Sequence, residues 1–215
     1  MIIIKRKKSA FFRAPYNHFP VFTIPGLQQS GKTTLARELY PGKPYYSLEN
    51  PDMRIEIEDD PRGFLQSLEH GAVLDEFQRV PHITSYLQQI VDDDMVPGKF
   101  ILTGSRNLEI MDQVSQSLVG RSATIELLPF SYSEIQSELC EAQLPEILFQ
   151  GLYPPIHHRK LAPSTWYSNY VRNYLERDVR QIINVKDLNV FHRFLILCAG
   201  RIGQLINYSD ISSEL

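Results

Sequence analysis

Gly26-Leu-Gln-Gln-Ser-Gly31-Lys32-Thr33 puts two glycines, a lysine and a hydroxyl at a fixed spacing between an apolar run and an amphipathic one. The glycines let the backbone curl so that successive N–H groups point at phosphate oxygens, and the positive end of a following helix adds to the attraction. A lysine in this position reaches the β and γ phosphates of a nucleoside triphosphate, and the hydroxyl after it ligates Mg²⁺. Gly26, Gln29, Ser30, Gly31, Lys32, Thr33 and Thr34 are therefore the expected nucleotide contacts, with Thr33 on the metal. An ordinary glycine turn capping a helix is the alternative.

A kinase or a GTPase uses the same loop, so the ends of the neighbouring strands decide the chemistry. Val73-Leu74-Asp75-Glu76 ends an apolar run in two carboxylates. Asp75 is expected to hold the metal, and Glu76 to polarise the attacking water. Phe100-Ile-Leu-Thr103-Gly-Ser105 ends a third apolar run in hydroxyls, and Thr103 and Ser105 are candidates to sense the γ-phosphate, although Thr-Gly-Ser is also plain turn chemistry. Phosphoryl transfer needs a cation against the developing charge. Arg121, after Leu118-Val-Gly, is the first candidate, and Arg177 and Arg180 are the others.

These residues need strands that end where the chemistry begins. Short apolar runs alternate with amphipathic ones through the first half of the chain, the rhythm of strand–helix–strand units around a parallel sheet. Strands are expected at 21–24, 45–48, 72–74, 99–103 and 124–128, and helices at 33–40 and 81–91. After Phe130 the pattern is helical, opened by a capping box at Ser131-Tyr-Ser-Glu134. A proline-rich connector over 151–163 leads to a long helix over about 164–183. The expected fold is α/β: a parallel sheet flanked by helices, with a boundary near Pro129–Ser131 and a helical lid beyond it.

The composition excludes several classes. Of 215 residues, 43% are hydrophobic and 22% charged, the profile of a soluble globular protein. Cys140 and Cys198 have no metal-ligand spacing and imply no disulfide framework. There is no secretory signal pattern and no apolar run of membrane-spanning length, so a cytoplasmic protein is expected. The formal charge of −3 argues against a domain built around nucleic acid. Basic residues predominate between Arg159 and Arg201, a face that fits phosphate or is simply solvated. Lys5-Arg6-Lys7-Lys8 reads as a disordered or solubilising N-terminus, with a nucleic-acid arm as the alternative.

Taken in order, several stretches resemble one family. They are Gln29–Arg37, Tyr46–Glu49, Asp60-Pro61 with Phe64-Leu65, Leu74–Pro81, Phe100–Ser105, Leu118–Arg121, Leu148–Gly151 with Tyr153-Pro154, and Tyr174–Val179. The chain resembles the prokaryotic P-loop ATPases of the AAA superfamily that carry a winged-helix segment and a C-terminal domain of unknown function. The resemblance implies binding and hydrolysis of ATP, with Lys32, Thr33, Asp75 and Glu76 in the roles above. It divides the chain into a P-loop core at 1–129, a lid at 130–200 and the start of a truncated winged-helix segment at 201–215. It also implies a site completed by a neighbouring subunit, with Arg121 acting in trans in a homo-oligomer. Two departures stand out: Leu27 and Gln28 replace the family's small residue or Pro followed by Arg, and the chain stops at Leu215.

On the long helix, Tyr167, Tyr170, Val171, Tyr174, Leu175, Val179 and Ile182 form an apolar stripe with Asp178 in its middle. A carboxylate there needs a partner, either an internal ion pair or an arginine it orients toward the nucleotide. Trp166 is expected in the core. The leading functional expectation is a Mg²⁺-dependent ATPase acting as a conformational switch on a protein partner. The alternative is a nucleotide-binding or DNA-associated regulator with little turnover.

Overall fold

The computed structural model describes residues 6, 18–105, 116–139, 142–175 and 187–215. Arg177, Asp178, Val179, Arg180, Ile182 and Cys140 lie outside them, as do Lys5, Lys7 and Lys8. The chain forms two compact units, 1–161 and 162–215.

The first unit is built on five parallel strands: β1 (Val21–Gly26), β2 (Tyr45–Ser47), β3 (Ala72–Asp75), β4 (Phe100–Ser105) and β5 (Ser122–Thr124), in the order β2-β3-β4-β1-β5. The helices between them are α1 (Lys32–Leu39), α2 (Pro51–Asp59), α3 (Pro61–Ser67) and α4 (Ile83–Asp93). Side chains alternate across a sheet, so neighbours along one strand serve different layers. Val21, Leu74 and Leu102 join the core with Ile57, Phe64, Leu65, Leu87 and Val91 of α2–α4. Phe22, Val73 and Ile101 face the other way, onto Leu35, Ala36 and Leu39 of α1. Strands covered on both sides carry continuous apolar runs, which is why they are legible without alternation.

Helices α2 and α3 were not expected from the sequence. Both start with Pro at the first position, after Asn50 and Asp60 whose side chains accept from the backbone N–H of Asp52 and Gly63. The last strand begins and ends earlier than the expected 124–128. Residues beyond it stay on β1 through Ile125 N–H to Thr23 O (3.0 Å) and an isolated bridge between Gly26 and Leu127.

Beyond the sheet, α5 (Tyr132–Ile135) has the expected capping box, with Glu134 accepting from Ser131 N–H at 2.8 Å. It is followed by α6 (Leu144–Gln150) and α7 (Pro154–Arg159). The last of these falls in the stretch expected to be a connector, because two prolines pre-set its first turn.

In the second unit, α8 (Pro163–Tyr170) begins where a long helix is expected and passes into a π-helical turn, Val171–Leu175; the rest of the expected span lies outside the described residues. Trp166 is buried and stacks on Tyr170, with ring centroids 4.9 Å apart. The unit ends in α9 (Leu188–Gly200) and α10 (Tyr208–Glu214), the second capped by Asn207. Among the described residues no helix is long and apolar enough to cross a membrane.

Candidate active site

In a parallel sheet the residues following each strand all gather at one edge, where ligands bind. Ile24 of β1 pairs with Thr103 of β4, and Thr103 with Asp75 of β3. The loop after β1 and the two carboxylates at the end of β3 therefore share an edge, with β4 between them.

The glycines of the loop do different jobs. Gly31 caps α1 at φ 96°, a left-handed conformation that strains any side-chain-bearing residue. At Gly26 the constraint is space, since a Cβ would collide with the carbonyl oxygen of Leu127. The loop encloses a cavity of about 410 Å³, together with Glu49, Asp75, Glu76, Phe130, Pro154 and His158. Lys32, Asp75, Glu76 and Thr103 are each at most 7 % exposed, so their polar groups must be satisfied inside the protein.

Lys32 donates through Nζ to the carbonyls of Gly26 (3.1 Å) and Leu27 (2.9 Å), which holds its ammonium at the loop. Asp75 is the hub. It accepts from the Thr33 hydroxyl at 2.9 Å and the Tyr45 phenol at 2.5 Å on one oxygen, and from Thr103 on the other. Burial, then the bond to Asp75, push the Tyr45 phenol up to about 12, and Arg37 lies 3.8 Å over its ring. Sequence reasoning missed Tyr45, because only the pairing of β2 with β3 brings it to Asp75.

Glu76 sits at φ 57°, a left-handed position uncommon for a residue with a side chain. Burial raises its carboxyl above the usual range; Lys32 and a hydrogen bond from Gln78 pull it down, while Asp75 and Glu49 push it up. Gln78 Nε2 donates to Glu76 and also, at 2.9 Å, to Ser105 Oγ.

The residues fit a Mg²⁺–triphosphate. A hydroxyl and a carboxylate in contact are the hard oxygen donors such an ion takes. Ser30 Oγ, in the loop, is buried with no hydrogen-bond partner among the described residues, a polar atom available to a phosphate oxygen.

Two of the candidates take other partners in this structure. Thr103 is directed to Asp75 in this structure, because its register on β4 is level with that carboxylate. Arg121 is not brought to the cavity within one chain. It precedes β5, whose first residue pairs with Val21 at the start of β1, so it lies at the opposite edge, roughly 16 Å away by strand rise. There it pairs with Asp92 through two nitrogens, one at 2.9 Å, and with Val119 O.

Arg6 is another residue that sequence reasoning missed. It is neither disordered nor an exposed arm: Nη2 donates to Ser30 O (2.7 Å) and Leu128 O (3.0 Å), and Nη1 to Pro129 O (3.1 Å) and Glu134 (3.2 Å). Its guanidinium lies 4.5 Å from the centroid of Phe130. Nothing in a run of four basic residues singles it out.

A five-stranded parallel sheet with a glycine loop after β1 and an acidic end on β3 is the fold of a P-loop NTPase. The chain belongs to the AAA domain family, which it matches over residues 18–136; residues 141–215 match a domain of unknown function, DUF8612. It is 28% identical, over its whole length, to the uncharacterized proteins Rv2008c of Mycobacterium tuberculosis and Mb2031c of Mycobacterium bovis. It spans about half of those relatives, 48% of their length. Among solved structures, a signal transduction ATPase with numerous domains (STAND) from Pyrococcus horikoshii superposes with a TM-score of 0.53 at 15% identity, over 98% of this chain and 36% of that one. The Walker-type ATPase PABY2304 of Pyrococcus abyssi gives a TM-score of 0.49 at 14% identity, over 92% and 74%. At 15% identity the likeness to the P. horikoshii structure is one of fold.

Proposed function

We propose that the chain binds ATP with Mg²⁺ and hydrolyses it, and that the cycle drives a conformational switch. The observation that carries this reading is the 2.9 Å contact between Thr33 of the phosphate loop and Asp75 of β3, on the wall of a cavity that Lys32 and Glu76 share. When bound, Mg²⁺ would be held by Thr33 and Asp75 and would neutralise charge on the phosphates. Lys32 leaves its loop carbonyls for the β and γ oxygens. Glu76 takes a proton from water as the water oxygen bonds to the γ-phosphorus and the bond to the β–γ bridging oxygen breaks, leaving ADP and phosphate. The preference for ATP over GTP rests on the family.

The switch reading draws on Phe130, Pro154 and His158, which line the cavity from beyond the sheet, so a triphosphate meets both the loop and the helical segment. A second reading, nucleotide binding with little turnover by a lone chain, is favoured by the position of Arg121 at the far edge of the sheet. Hydrolysis would then need Arg121 from another copy. The deciding experiment is Mg²⁺-dependent phosphate release from ATP by the purified chain, beside Lys32→Ala and Glu76→Ala. Turnover lost in both variants supports the ATPase; Lys32-dependent binding without turnover supports the second reading.

A further inference from the structure

Gln78 lies in the 3₁₀ turn Phe77–Arg79 directly after the two carboxylates, and hydrolysis as described gives it no part. Its geometry is nevertheless closely determined. One amide nitrogen donates to the Glu76 carboxylate and to the Ser105 hydroxyl, joining the end of β3 to the end of β4. The amide oxygen is buried with no partner among the described residues. It lies over the backbone of Gly104, where a Cβ would collide with it and with the Phe77 ring. Turning the amide over would set its oxygen against the Glu76 carboxylate and strand the nitrogen over Gly104. A buried polar atom left unsatisfied costs stability, and a glycine is required to make room for it. Such an arrangement is expected where a side chain is held for the sake of another group.

We propose that Gln78 is a positioning residue for Glu76. It fixes the carboxylate beside the phosphate loop and takes its own orientation from Ser105 and the side-chain-free face of Gly104. A displacement at the end of β4 is thereby passed to the base two strands' breadth from the loop, without either residue touching the nucleotide. Ser105 acts through Gln78 and not by contact with the γ-phosphate. This inference rests on the hydrolysis reading above.

The test is steady-state ATP hydrolysis by the full chain and its Gln78→Glu, Gln78→Ala, Ser105→Ala, Gln78→Ala/Ser105→Ala and Glu76→Ala variants, with affinity for a fluorescent ATP analogue measured on each. Gln78→Glu keeps the volume and removes both donated hydrogen bonds. Expected are a fall in kcat of at least about ten-fold for both Gln78 variants, with KM and analogue affinity held within about two-fold, since positioning a base by 1 Å is worth factors of this order. Ser105→Ala is expected to lower kcat by less, and to add nothing to Gln78→Ala. Gln78 variants with unaltered kcat, affinity lost in step with kcat, or independent effects of Gln78 and Ser105 would each overturn the proposal. If turnover needs Glu76 yet ignores Gln78, only this inference falls; if turnover does not need Glu76, the hydrolysis reading falls and takes it along.

Discussion

The two edges of the sheet hold their charges in opposite ways. At the edge where the strands end, Lys32, Asp75 and Glu76 are buried and each is held by hydrogen bonds to its own neighbours, and Glu76 and Gln29 have left-handed backbones. At the edge where they begin, Arg121 and Asp92 meet in water; their bond steadies both charges, raising the guanidinium and lowering the carboxyl. Buried and strained polar groups reduce stability unless each is satisfied, and an exposed pair does little either way. A fold under no functional demand has reason to keep the second kind of pair and none to assemble the first.

That contrast can be broken most severely at Lys32. Lys32→Ala should lower turnover by about a hundred-fold or more, the scale of losing a group that meets transition-state charge, and abolish binding of an ATP analogue. Intact binding would separate the buried edge from nucleotide recognition.

Glu76→Gln should cost about a hundred-fold or more in turnover while raising the thermal midpoint near neutral pH. The sign follows from the raised carboxyl. The folded chain holds this proton more tightly than the unfolded one, so the stability Glu76 contributes is present in full below the ordinary carboxylate range and lost as pH rises through the raised value. The gain from Gln should vanish in acid, which melting curves across pH would show. The same raised value predicts that kcat declines as pH falls through it, because the base must be ionised. A midpoint that drops in the variant at neutral pH would count against a functional burden at this edge.

Thr103→Val removes one of three donors from Asp75 and should destabilise by about 1–3 kcal/mol, read by denaturant unfolding, with weaker Mg²⁺ dependence of turnover. The smallest effect belongs to the other edge. Arg121→Ala should leave the melting temperature of the chain unchanged within error. If the residue serves a neighbouring copy, mixing Arg121→Ala with Lys32→Ala chains should restore turnover that neither shows alone; no restoration would confine Arg121 to its pairing with Asp92.

What the sequence could show depended on whether a group's neighbours are local. The loop from Gly26 to Thr34 and the pair Asp75–Glu76 are contiguous, and their flanking strands are marked by apolar runs, so both were legible. Tyr45 and Gln78 acquire their meaning from strand order, which no periodicity encodes. Arg121 shows the converse: a residue preceding a parallel strand lies at the edge opposite those that follow one, an inference available once β5 is known to be parallel. The expected start of that strand, two residues late, hid how close Arg121 stands to it. The helices after Asn50 and Asp60 had readable caps, but their proline starts resembled loops.

Arg6 bears on how the chain comes to fold during synthesis. Its partner Glu134 is 128 positions further on, with Leu128 and Pro129 just before it. At ordinary ribosomal rates the arginine waits about 6–26 s for them to be made. Its bond to the carbonyl of Ser30 is available early, whereas the guanidinium's remaining bonds and its aromatic neighbour arrive only after the last strand. Contacts this distant in sequence close late. A nascent chain released before Glu134 would carry a complete phosphate loop with its N-terminal fastening still undone.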